Sequence, residues 1–176
     1  INWTGHALVC PRARIGELKQ WQEADRPGLY ILFGEEGPGI QKAYIGETEN
    51  VIKRLKTHLL KLDFWDKVVL FTSKDNNLTK SHAKYLESRV VDLATRAGRY
   101  KIENGNVPQA PSLPRSDCAA MEEYIDHAKV LLGALGFPLM PVTPPTQSAP
   151  LAEITVPETI GDQDFLFKGV RNDVDA

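Results

Sequence analysis

Residues 28–46 read Gly28-Leu-Tyr-Ile-Leu-Phe-Gly-Glu-Glu-Gly-Pro-Gly-Ile-Gln-Lys-Ala-Tyr-Ile-Gly46, and the fold class turns on this stretch. Residues 29–33 form a compact apolar, aromatic run bounded by Gly28 and Gly34, the pattern of a buried strand. The polar segment 34–41 holds three glycines and Pro38, and Ala43-Tyr44-Ile45 forms a second short strand ending at Gly46. Two strands joined by a glycine-rich loop predict an antiparallel hairpin.

Downstream, residues 50–61 have the period of an amphipathic helix, with Val51, Ile52, Leu55, Leu59 and Leu62 as its apolar stripe. Residues 68–71 are a third strand. Asn76, Asn77 and Thr79 offer caps for a long helix running to Ala97, and Gly98 stands where a C′ glycine belongs. Its expected stripe is Leu86, Val90, Leu93 and Ala97. Residues 104–115 read as a loop, and a last helix starts at Ser116 or Asp117 and ends before Gly136. Upstream, residues 3–9 suggest a short strand, and residues 14–24 a helix carrying Ile15, Leu18 and Trp21. Mixed elements with short, early strands predict an α+β fold: a small, mostly antiparallel, three-stranded central sheet flanked by helices.

Composition bounds the function classes. With 42% apolar and 25% charged residues, the 176-residue chain is that of an ordinary globular domain. No apolar run is long enough for a membrane helix, so no membrane partner is expected. Cys10 and Cys118 form neither a disulfide framework nor a zinc cluster, which favours a cytoplasmic protein with free thiols. The chain starts at Ile1 rather than Met, the expected sign of a piece of a longer protein. The stretch from Pro141 to Pro150 is rich in Pro, Thr and Ser, so residues 1–140 are the expected domain and 141–176 a linker and acidic tail, or the start of a further region. Six acids against Lys168 and Arg171 give the tail a net charge of −4, and the total of −2 leaves residues 1–140 at +2. That is too little for a strong long-range pull on nucleic acid.

Five polar side chains stand at informative places. Tyr30 and Tyr44 sit in the two hairpin strands. Arg54 and His58, four apart, share one helix face off the Leu55, Leu59 and Leu62 stripe. Glu87 lies mid-helix, far from any cap. Taken singly, each has a plain structural explanation: a packed tyrosine, a solvated helix face, a surface glutamate. Lys53, Arg54, Lys56 and Lys61, with no acid among them, are equally a solvated face or a phosphate-binding one. The glycines of residues 34–39 make a poor phosphate cradle beside two acids and a proline, and Phe64 and Trp65 suit packing under the sheet. No histidine has zinc-site spacing with a partner.

Together these residues resemble the GIY-YIG nuclease superfamily. The first signature is written Gly28-Leu29-Tyr30, with Leu in place of Ile, and the second, Tyr44-Ile45-Gly46, is intact. Arg54, His58 and then Glu87 follow in the expected order, and either Asn104 or Asn106 corresponds to a late Asn of some members. The resemblance covers roughly residues 28–106. The segment 103–106 and the helix after it are similar to a less characterised bacterial branch with an added C-terminal region. Known members include homing endonucleases, repair incision subunits and some restriction enzymes.

The resemblance implies a metal-dependent endonuclease that hydrolyses DNA phosphodiester bonds, with RNA left open as substrate. It implies Tyr30 as general base, Tyr44 orienting water or phosphate, and Arg54 holding the scissile phosphate. His58 supports Tyr30 or contacts phosphate. Glu87 holds one divalent cation, Mg²⁺ or Mn²⁺, and Gly46, Lys53, Lys56, Asn104 and Asn106 are the expected substrate contacts. The residue types suit this chemistry. A forked guanidinium matches developing phosphate charge, Mg²⁺ needs few protein carboxylates, and a phenol, with an ordinary pKa near 10, needs help to act near neutral pH. Two other readings remain. One is a non-catalytic nucleic-acid- or protein-binding module that keeps the fold, favoured by the low positive charge and the lack of a helix-turn-helix or zinc motif. The other is an α+β domain with chance tripeptides.

Overall fold

The structure is a computed structural model and describes residues 4–142. The chain divides into two units between Val142 and Thr143. The acidic tail lies outside the described residues apart from Pro141 and Val142. Among the described residues no helix is long and apolar enough to cross a membrane.

The fold is α+β. Strands β1 (Gly5–Pro11), β2 (Gly28–Glu35), β3 (Gln41–Thr48), β4 (Trp65–Ser73) and β5 (Lys101–Ile102) form one sheet in the order β1-β4-β2-β3-β5. The pairings are antiparallel except β3 with β5, which is parallel. The expected three-stranded sheet is therefore its centre, β4-β2-β3, extended at both edges. The strand expected upstream pairs along β4 from Gly5 to Pro11, and β5 pairs with β3 at Lys42 and Ala43 alone. A two-residue strand has no period to read, so nothing in residues 101–102 announced it.

Central β2 is buried on both faces, which is why it reads as a continuous apolar run rather than an alternating one. Leu29, Ile31 and Phe33, with Ala43 and Ile45 of β3, face the core formed with α2 (Lys80–Ala97) and α3 (Arg115–Ala134). Tyr30, Leu32, Val68 and Leu70 face the smaller core under α1 (Val51–Lys61), where Trp65 also packs.

The helix expected over residues 14–24 is instead two 3-10 segments, Arg12–Gln20 and Gln22–Asp25, broken at an extended Trp21. Their buried residues are Leu18 and Ala24, and Pro11 provides no side-chain cap, so no apolar stripe rewards an α-helix there. Tertiary bonds hold the segment instead. The Arg12 guanidinium donates to the carbonyls of Leu59, Leu62, Asp63 and Trp65 and lies 4.9 Å from the centre of the Trp65 ring.

The remaining helices follow their caps. Asn50 accepts the Lys53 amide at the start of α1, Thr79 and His82 form a capping box at α2, and Gly98 closes α2 at φ 62°. The buried side of α2 runs through Ala83, Leu86, Val90 and Ala94, while Leu93 and Ala97 are only partly buried. Tyr85 and Arg89 on α2 bond Glu122 on α3, locking the two helices together.

Candidate functional site

Tyr30 and Gly46 are cross-strand partners in the β2–β3 hairpin. The tyrosine ring passes directly over the glycine: a Cβ on Gly46 would lie 2.3 Å from the Tyr30 hydroxyl oxygen and 2.4 Å from Cζ. Any side chain at position 46 would displace the phenol, so the glycine is a steric requirement of Tyr30. Gly46 is buried and provides room for the Tyr30 ring. Tyr44, two residues back on the same face of the sheet, is half-buried, and its ring centre lies 6.2 Å from that of Tyr30.

Helix α1 closes over this pair. Val51, Leu55 and His58 are its buried residues. His58, expected on the solvated side of the stripe, is thus part of the buried face and only 6% exposed, whereas Leu60 is 87% exposed. The stripe runs at 51, 55 and 58 because the sheet presents two phenols and their polar ends to α1, and an imidazole meets them where a leucine could not.

The Tyr30 hydroxyl lies 2.7 Å from His58 Nε2, and Arg54 Nε donates to the same oxygen at 3.2 Å. The Tyr44 ring centre is 4.9 Å from that of His58. Tyr30 and His58 therefore form a buried layer, and exposed Arg54 and half-buried Tyr44 lie above it. Burial pushes the Tyr30 phenol up, against the smaller downward pull of the Arg54 hydrogen bond. Burial, then the charges of Arg54 and Lys61, lower His58 to about 4, so its imidazole is neutral near pH 7. Because Arg54 can only donate, the phenol oxygen accepts from it, and the phenol proton is free to point at His58 Nε2. That arrangement puts the imidazole proton on Nδ1, which is buried without a hydrogen-bond partner.

Glu87 arrives from the opposite face of the sheet, and the edge of β3 explains how. β5 covers that edge only briefly: the Glu103 amide bonds the Ala43 carbonyl at 2.9 Å. Next, the Asn104 side chain takes both backbone groups of Ile45, accepting its N–H at 2.9 Å and donating to its carbonyl at 2.6 Å. Two residues on, the Glu47 backbone lies near enough to the Glu87 carboxyl to pull its pKa down slightly. The edge is thus satisfied first by a strand and then by a side-chain amide. Past Ile45 it has no strand neighbour, so groups from both faces meet there. Glu87 is half-buried rather than a surface residue. Burial, then the like charge of Glu47, raises its carboxyl, while Arg54 and Lys84 pull it down less.

Tyr30 bonds both Arg54 and His58, Tyr44 lies beside Tyr30 and His58, and Glu87 lies within the electrostatic reach of Arg54. Lys53 and Lys56 are exposed on the outer side of α1. Of the two late asparagines, Asn104 spends its amide on Ile45, which makes it a brace for the Tyr44-Ile45-Gly46 strand, and Asn106 is exposed in the following loop. Sequence reading gave Glu47 no place near Glu87, where its charge helps raise the carboxyl. The period of two was the available signal, since Ala43, Ile45 and Glu47 alternate with Tyr44 and Gly46 and so share a face. Among the described residues no group of three or more His, Cys, Asp or Glu is placed to hold a metal ion, so carboxylate ligation here would rest on Glu87. No protein-family model matches the chain, and no curated protein or solved structure matches it significantly.

Proposed function

We propose that this protein is a metal-dependent endonuclease of the GIY-YIG type, hydrolysing phosphodiester bonds of DNA in the cytoplasm. The observation that carries the reading is the meeting of Tyr30, His58 and Arg54 at one phenol oxygen. A buried tyrosine needs one polar partner, not a neutral imidazole and a guanidinium together with a second phenol beside them. The half-buried Glu87 carboxylate near Arg54 adds the acidic group that the reading requires.

The donor set suits a hard divalent cation. Carboxylate oxygen is the ligand type Mg²⁺ takes, one or two such groups suffice, and Glu87 sits beside a like charge that a cation would relieve. When bound, Mg²⁺ or Mn²⁺ supplies Lewis-acid stabilisation of phosphate and leaving-oxygen charge.

The protein's own residues do the rest. Arg54 uses Nε to hold Tyr30 and has further N–H donors on its exposed side for a non-bridging phosphate oxygen. This couples phosphate position to the phenol. Tyr30 accepts the proton of the attacking water as it passes its own to His58 Nε2. The burial that raises the phenol disfavours a free phenolate, so the two proton shifts proceed together. Neutral His58 is in the correct state to receive that proton. Tyr44 borders the same oxygen and orients the water, and Lys53 and Lys56 extend the phosphate contact along α1.

The test is cleavage of plasmid and oligonucleotide DNA with Mg²⁺ or Mn²⁺, comparing the wild type with Tyr30→Phe and Glu87→Gln. The wild type cuts. Both variants keep native circular dichroism and lose activity by about a hundredfold or more. Cleavage by either variant at the wild-type rate overturns the reading. A folded wild type that binds DNA without cutting under any divalent metal leaves the binding-module reading in its place.

A further inference from the structure

We infer that the hollow between the 3-10 segment Arg12–Gln20 and α1 is a second phosphate site, where Lys19, Lys53 and Lys56 hold the substrate backbone away from the scissile position. This rests on the nucleic-acid reading above. It gives Lys19, which lies outside residues 28–106 and their resemblance, a place on the substrate path.

Two tethers set the geometry. The 3-10 segments have no apolar stripe of their own, yet they are fastened to both ends of α1. At its C-terminal end the Arg12 guanidinium donates to the carbonyls of Leu59 and Leu62. At its N-terminal end Asn50 Nδ2 donates to the Asp25 carboxylate at 2.8 Å, while Asn50 Oδ1 accepts the Lys53 amide. Between the tethers lies an open hollow of about 320 Å³, lined by Lys19, Asp25, Asn50, Ile52, Lys53 and Lys56. Lys19 comes from one wall and Lys53 and Lys56 from the other, so three ammonium groups border one space. Arg54 stands apart from them. Two residues advance a helix by about 200°, so Lys56 and Arg54 lie on opposite flanks of α1. Arg54 bonds Tyr30 and is not among the residues of the hollow. The phosphate held here is therefore a different one from the scissile phosphate.

The gathered charge has no partner within the fold. Among the described residues Lys19, Lys53 and Lys56 form no salt bridge, whereas Lys42, Lys80, Lys101 and Lys129 each have one. Asp25 is the single carboxylate in the hollow, and Asn50 already engages it. The first turn of α1 holds no acid to offset its partial positive charge, and Lys53 adds to that charge. Like charges drawn together around one space repel one another, and an anion with several oxygens relieves the repulsion. The phosphate backbone of nucleic acid is such an anion. Lysine suits a contact of this kind, because a compact cation on a flexible stem follows a phosphate without demanding one fixed geometry. Contacts of this sort position the strand and carry no base sequence.

The experiment is binding of a fluorescein-labelled DNA duplex to the full chain, followed by anisotropy over a series of salt concentrations, with EDTA present so that nothing is cut. The proteins are the wild type, Lys19→Gln, Lys19→Arg, the triple variant Lys19→Gln/Lys53→Gln/Lys56→Gln, and Lys74→Gln, which removes an exposed lysine outside the hollow. Circular dichroism checks that each is folded. The slope of log affinity against log salt falls by about one unit in Lys19→Gln and by about two or more in the triple variant. Lys19→Arg keeps the charge and the wild-type slope, and Lys74→Gln changes neither slope nor affinity. A Lys19→Gln slope equal to that of the wild type overturns this site and leaves the endonuclease reading standing. Equal losses in Lys19→Gln and Lys74→Gln overturn it as well, because the DNA then responds to charge anywhere on the surface. A wild type that binds with these slopes and never cuts supports the site and overturns the endonuclease reading. A folded wild type that binds no DNA overturns both.

Discussion

His58 is the group whose behaviour the fold changes most measurably, and acid tests it without reference to any activity. In the unfolded chain the imidazole titrates near 6.5. In the folded protein it titrates at about 4, because protonation would bury a cation beneath Arg54 and beside Lys61. The unfolded chain therefore binds the proton more tightly than the folded one. The stabilisation is complete above about pH 6.5 and is lost as the pH falls towards 4. At about 1.4 kcal/mol per pH unit, that interval amounts to roughly 3 kcal/mol. This is a large share of the stability of a small domain. The groups around the imidazole are Tyr30, Tyr44, Arg54 and Lys61, and no carboxylate contributes to its shift. The perturbation is His58→Gln, which fills much of the same space and does not titrate. Urea unfolding, followed by the fluorescence of buried Trp65 and by circular dichroism, is measured for both proteins between about pH 4 and pH 7. The carboxylates shared by the two proteins titrate in the same window and cancel in the difference. The wild type loses roughly 3 kcal/mol more than the variant across it, whatever their stabilities at neutral pH. Parallel curves for the two proteins would refute the buried neutral imidazole, and with it the proton acceptor assigned to Tyr30.

Gly46→Ala places a methyl carbon 2.3 Å from the Tyr30 hydroxyl. Thermal unfolding should show a cost of about 1–3 kcal/mol, with cleavage lost because the phenol leaves His58 and Arg54; an active variant of wild-type stability contradicts the close approach. Asn104→Ala removes both bonds to Ile45 and should cost about 1–3 kcal/mol while the Ile45 amide exchanges faster with solvent. Asn106→Ala, in the exposed loop, should change neither quantity, and equal effects of the two substitutions would remove the bracing role of Asn104.

Local patterns carried the hairpin, α1, α2 and α3, because each depends on the period of its own residues and on its own caps. The Thr79 and Gly98 ends of α2 are examples, needing nothing from elsewhere in the chain. The 3-10 segments after β1 show the reverse case. Their residues have a helical spacing, but what holds them is Arg12 reaching carbonyls some fifty residues away. The site divides the same way. Tyr30, Tyr44, Arg54 and Glu87 were legible from residue type and order along the chain. That His58 is buried and neutral was not, since its helical position alone puts it beside the solvated Arg54.

The sequence by itself determined which side chains this protein has to offer and which short elements present them, because hydrophobic period and capping chemistry act over a few residues. Only the tertiary structure decided that β5 stops after two residues. The β3 edge beyond it thereby passes to the side-chain amide of Asn104. That outcome depends on which distant groups fill the hydrogen-bonding positions of one exposed strand, and no periodicity within a segment records it.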